Sequence, residues 1–272
     1  ALGRVWVRDL PDGEPRRLTR GNEPVFEHDP AFSRDGERIV FATWSDEKLG
    51  TVRIARAKGG SSARTISRRP GHFVRPVFSP DGASVFVERV KGGYLRSPAY
   101  SAEPGIYRLP VRGGVGVRVV EEGSHPQVGA RADRLYFMRA KGDDTSETRS
   151  LVAYDLEERT ERVLYESDSV QRYLVAPDGD WLAFRDGFHV YLTPLVETGR
   201  TVKIGAGAKG VPVARVTKEA AYSLSWAADG KSMFWSLGPE LFERPLTDAF
   251  AFLDGAPEEL PEPPAQGIQI GF

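Results

Sequence analysis

The 272 residues include no cysteine. That excludes disulfides, thiolate metal sites and a cysteine nucleophile, and it leaves the redox compartment open. No charge of one sign dominates, with 37 Lys plus Arg against 38 Asp plus Glu. A global basic field that would attract nucleic acid or an anionic membrane is therefore missing. No apolar run approaches the roughly 18 residues of a membrane-spanning helix. There is no Gly-x-Ser-x-Gly, so a serine-hydrolase elbow has no anchor, and no complete Gly-x-x-x-x-Gly-Lys-Ser/Thr phosphate loop, since Gly230-Lys231-Ser232 has Ser225 in place of the first glycine. Helical periodicity is nearly absent, which removes the crossover helices that a parallel α/β fold requires. The opening Ala-Leu-Gly, with neither Met nor signal peptide, is expected of an excised or processed piece.

What the chain does have is a repeat. "AFSRDGERIVFAT" begins at Ala31, "VFSPDGASVFVER" at Val77, "LVAPDGDWLAFRD" at Leu174 and "SWAADGKSMFWSL" at Ser225. A weaker copy, "QVGARADRLYFMR", begins at Gln127, with Arg131-Ala132 in place of Asp-Gly. The aligned positions are 35, 81, 131, 178 and 229, spaced by 46, 50, 47 and 51. That is close to the period of propeller blades. Each copy reads as a strand, a tight turn and a second strand, because Gly takes φ > 0 freely and Asp tolerates it. A further hairpin follows most copies, as in 52–67, 105–120 and 150–166, while 189–199 and 240–248 begin the same way. Four strands per period predict an all-β fold, a β-propeller of four-stranded blades. Residues 4–19 read as the outer hairpin of an incomplete first blade. That predicts the six-bladed type, with five blades as the alternative. Residues 1–250 are expected to form the propeller. The Pro/Glu-rich 251–272 reads as a linker to another domain.

"Phe-Ser-Pro-Asp-Gly" at 78–82 resembles the WD-like repeats of TolB-type propellers. Three longer stretches, "RVWVRDLPDGEPRRLTRG", "FATWSDEKLGTVRIARAKGG" and "MFWSLGPELFERPLTDAF", resemble the propeller ahead of the catalytic domain in large bacterial amidohydrolase-superfamily proteins. The resemblance covers about residues 1–250. It implies a non-catalytic module of a metal-dependent hydrolase acting on C–N bonds, placed in the periplasm or secreted. The partner it implies is the amidohydrolase-type catalytic domain of the same protein, with other strands or subunits completing the first blade. It implies no cofactor in this chain and a divalent metal in the missing catalytic domain. The superfamily's metal ligands begin with His-x-His, a spacing that His28, His72, His125 and His189 do not show. Two other functions fit the same residues: a stand-alone protein-binding propeller, and the filter propeller of a prolyl-oligopeptidase-like serine peptidase.

Asp35, Asp81, Asp178 and Asp229 read as turn residues, one per blade, and no catalytic residue is assigned. "GAGAKG" at 205–210 matches Gly-x-Gly-x-x-Gly but is followed by strand-like Val211–Val216, so it reads as a blade connection. "KGDDTSET" at 141–148 lacks the spacing of a Ca²⁺ loop and reads as a solvated hairpin tip. The Arg-rich "RTISRRPGH" at 64–72 suits a phosphate or an acidic partner, or simply a solvated face. Six residues before each aligned position lie Asp29, Arg75, His125, Arg172 and Ser223, at the start of the innermost strands. They are candidates for a channel-mouth binding site for carboxylate or phosphate, with His28 and His72 just upstream. The alternative is a row of ordinary solvated channel residues. Tyr94, Leu95, Arg96 and Tyr100, in the long insertion 91–104, are candidate interface anchors.

Overall fold

The computed structural model describes residues 3–20, 23–60, 62–91, 103–142, 147–197 and 199–270. Among them the only helical element is a 3₁₀ turn, Leu246–Asp248. The chain divides into two compact units, residues 1–127 and 128–271. The sheets are antiparallel apart from one short parallel edge strand, and five of them have four strands or more. The fold is an all-β propeller, and its count matches the five-blade alternative. The 4–19 hairpin stands apart as a two-stranded sheet of β1 (Trp6–Val7) and β2 (Arg16–Arg17).

In the first unit, one blade runs β3 (Phe26–Phe32), β4 (Arg38–Trp44), β5 (Thr51–Arg56) and β6 (Arg64–Thr65). The next runs β7 (Phe73–Phe78), β8 (Ser84–Arg89), β9 (Gly105–Pro110) and β10 (Val117–Val120). The unit ends with β11 (Ser124–Gln127), beside β7 and β8. The second strand of each blade is covered on both faces, which is why it reads as an unbroken apolar run rather than an alternation. Ile39, Val40, Phe41 and Ala42 of β4 are all buried, as are Val85, Phe86 and Val87 of β8. Full burial of a side chain such as Phe41 contributes about 1.5–3 kcal/mol. The small β1–β2 sheet is pinned to this core by Val5 and Leu18, which pack with Ile39, Phe41, Ala55 and Ala57.

The second unit contains β12 (Arg134–Gly142), β13 (Glu147–Asp155) and β14 (Glu161–Ser167), then β15 (Val170–Val175), β16 (Trp181–Asp186) and β17 (His189–Pro194). β18 (Val202–Lys203) joins the edge of β14 in parallel, and β19 (Ala214–Arg215) pairs with β17. No helix follows Gly205–Gly210, so the glycine run is a blade connection. The last blade runs β20 (Tyr222–Trp226), β21 (Ser232–Leu237), β22 (Glu240–Pro245) and β23 (Ile268–Gln269).

Part of the stretch read as a linker, 251–272, returns to the last blade as a strand. Leu241 pairs with Ile268 and Glu240 with Gln269, making the tail the fourth strand. The Pro-rich stretch is tied down on its way there. Arg244, 5% exposed, donates to the carbonyls of Asp248 and Pro261.

Candidate functional site

The four Asp-Gly turns share one construction. Each aspartate accepts the backbone N–H two residues on: Glu37 to Asp35 at 3.0 Å, Ala83 to Asp81 at 2.9 Å, Asp180 to Asp178 at 3.0 Å and Lys231 to Asp229 at 2.9 Å. The glycine that follows lies at φ +71, +64, +81 or +75, where an L side chain is strained. These carboxylates are turn caps.

Their acidities differ for a reason visible in sequence. Ser33 and Ser79 donate their hydroxyls to Asp35 and Asp81, and this holds both carboxyls below the usual range. In the later copies Ala176 and Ala227 take the serine's place. Asp178, without a hydroxyl donor and pressed against Gly230, is instead pushed up by burial. At the weak copy, Arg131 pairs with Asp133.

The innermost strands carry the second shared device. Asp29, Arg75, His125 and Ser223 have φ of 50, 53, 55 and 46, uncommon for residues with a side chain. The ladder register shifts at Asp29 (between His28 and Ala31), at Arg75 (Val74 and Val77) and at Ser223 (Tyr222 and Ser225). Another shift lies between Val170 and Arg172, where Arg172 itself is not left-handed. These are β-bulges, each leaving one residue out of the ladder and re-aiming its side chain. In the first unit the three left-handed residues, Asp29, Arg75 and His125, are each followed by proline, at Pro30, Pro76 and Pro126. Proline has no N–H to give a ladder and is tolerated in strands at edges and bulges.

In the first unit two of these left-handed residues donate their backbone N–H to a carboxylate. Arg75 N–H donates to Asp29 Oδ2 at 2.9 Å, and His125 N–H donates to Glu88 Oε2 at 2.9 Å. Glu88 Oε2 also accepts Arg75 Nη1 at 2.6 Å. Asp29, Arg75, Glu88 and His125 thus form one chain of contacts within the first unit. His28 Nδ1 lies 3.5 Å from Asp29 Oδ2 and, with the Arg75 N–H, keeps the Asp29 carboxyl low against the cost of its burial. His72 rests against Trp44 with ring centroids 4.9 Å apart. Burial first, then the charge of His28, pushes His72 down. His125 Nδ1 is 3.0 Å from Ser124 Oγ.

Of the five expected channel-mouth residues, then, Asp29, Arg75 and His125 come together. Arg172 and Ser223 belong to the second unit, on β15 and β20. Tyr94, Leu95, Arg96 and Tyr100 lie outside the described residues. Glu88 is the residue that the sequence reading missed. Charges in the cluster are balanced locally, Arg75 against Glu88 and His28 beside Asp29, so the Arg75 fork is already engaged. Among the described residues no three His, Asp or Glu side chains are grouped so as to hold a metal ion, and no helix is long and apolar enough to cross a membrane.

No family model matches the chain, and no curated protein does. Solved structures do. TolB from Acinetobacter baumannii is similar with a TM-score of 0.62 and 17% identity, over 88% of this chain and 56% of that one. A gluconolactonase from Xanthomonas campestris gives a TM-score of 0.60 and 18% identity, over 89% and 78%. An oligogalacturonate lyase in complex with manganese gives 0.57 and 14%, over 86% and 68%. The chain thus spans a little over half the length of the TolB it resembles. At such identities the likeness is one of fold: this chain is a TolB-like β-propeller.

Proposed function

We propose that the chain is a non-catalytic propeller module of an amidohydrolase-type protein, serving as scaffold, access gate or docking surface for a metal-bearing catalytic domain. One observation carries this reading: the carboxylates placed by the repeat are committed to backbone. Asp35, Asp81, Asp178 and Asp229 cap turns, and Asp29 and Glu88 accept the N–H groups of the left-handed residues Arg75 and His125. A catalytic carboxylate needs a lone pair and a protonation state free for substrate, whereas these have structural partners. Periplasmic or secreted placement is part of the same proposal.

The test compares the chain alone with the longer polypeptide that contains it, both assayed on a panel of amides and cyclic amides with added divalent metal. The expected result is no turnover by the chain alone, and turnover by the longer protein that changes when the propeller is removed. Turnover by the purified chain overturns the reading, as does a Gly-x-Ser-x-Gly hydrolase domain in place of a His-x-His barrel.

A further inference from the structure

The first unit holds a cavity of about 490 Å³ whose lining includes no histidine and is unusual in charge. Arg68 and Arg69, in the connection after β6, and Arg89, at the end of β8, contribute three guanidinium groups against the single carboxylate of Glu103. Among the described residues no Asp or Glu lies within ion-pair distance of any of the three arginines. Arg89 Nε is buried and has no hydrogen-bond partner.

The strand register explains how the cavity acquires this lining. Phe73 and Arg89 are direct cross-strand partners, and on the other flank of Arg89 stands Gly105, which has no side chain. Two residues further along β9, Tyr107 receives the Arg89 guanidinium over its ring, 5.9 Å from the centroid. Phe73 and Leu109 are buried and supply apolar wall, while Val115, 64% exposed, also lines the cavity. A bridge between Ser67 and Gly114 ties the arginine-bearing connection to the β9–β10 turn.

Guanidinium groups with unfilled donors beside aromatic and aliphatic walls suit one kind of ligand. We propose that this cavity binds a small organic acid, one or more carboxylates on an apolar or aromatic body. The carboxylates would take the arginine forks, and the body would lie against Phe73, Tyr107 and Leu109. The volume falls in the ordinary range for small-molecule sites. This inference is independent of the module reading, since a propeller with or without a catalytic partner would hold the same cavity.

The experiment titrates the chain with phthalate, with inorganic phosphate and with benzyl alcohol, followed by calorimetry and by NMR shifts. Phthalate is expected to bind more tightly than either control, which supply only the charge or only the ring. The double variant Arg68→Ala/Arg69→Ala should weaken phthalate binding about tenfold or more, the loss expected when a charge-assisted contact is removed. Val115→Glu, at an exposed position, should weaken it comparably by supplying a carboxylate to the arginines. Arg162→Ala, in the second unit, should leave it unchanged, and all variants should melt as the wild type does. The proposal is overturned if phthalate does not bind, if it binds no better than phosphate, or if either cavity variant binds it as well as wild type does.

Discussion

Replacing Glu88 by alanine should destabilise the protein by about 2–3 kcal/mol, a figure that follows from its contacts. Glu88 is 8% exposed, and its Oε2 accepts the His125 N–H at 2.9 Å and Arg75 Nη1 at 2.6 Å. A buried N–H left without an acceptor costs about 1–3 kcal/mol. The Arg75 share is smaller, about 0–1 kcal/mol, because that side chain is 37% exposed and turns back to water when released. Glu88→Gln keeps an acceptor oxygen and gives up only the charge, so about 1 kcal/mol is expected. Urea unfolding of the three proteins gives the ranking. Amide hydrogen exchange at His125 gives the cause, since a local loss of about 1.4 kcal/mol speeds exchange about tenfold. If alanine proves no worse than glutamine, or if His125 exchanges at the wild-type rate in Glu88→Ala, the carboxylate is not what holds the backbone at His125.

Three further outcomes are expected. His72 should titrate below the ordinary histidine value of about 6.5 in NMR, because burial and His28 disfavour its cation. Between its folded and unfolded values the unfolded chain binds more protons, so stability should fall as pH drops through that window. A midpoint at or above about 6.5 would refute this. Ala176→Ser should restore the hydroxyl donor found at Ser33 and Ser79 and lower the Asp178 carboxyl, read by its carbon-13 titration; an unmoved Asp178 would show that the serine is not what sets these acidities. Gly82→Ala should cost about 1–2 kcal/mol in urea unfolding, since φ +64 strains any side chain. Its Cβ also lands 2.5 Å from Arg38 Nη2, a flexible tip that can swing aside. A neutral substitution would remove the left-handed turn from the argument.

The blade plan was legible because its signals are local. Asp81-Gly82 and its three relatives specify a turn within four residues, and the structure gives each glycine the positive φ that the turn needs. The bulges were half legible. Asp29-Pro30, Arg75-Pro76 and His125-Pro126 each place a residue without an N–H inside a strand, a sign that was available but was not read as a bulge. Glu88 was not legible at all. It sits in "VFVER" as an ordinary strand-end carboxylate, and its role depends on a backbone N–H 37 residues away. β23 escaped for a related reason. A two-residue strand has no periodicity to detect, and only the edge it joins makes it a strand.

The pairing of Leu241 with Ile268 has a practical consequence for anyone handling this propeller. A cut placed after residue 250, where the composition changes, would strip β22 of its outer neighbour and leave the Arg244 guanidinium without the Pro261 carbonyl. The exposed edge would then offer its donors and acceptors to any passing strand, and self-association is the usual result. The proline-rich tail thus behaves as a clasp, its strand residues Ile268 and Gln269 closing a blade whose other strands lie more than twenty residues upstream.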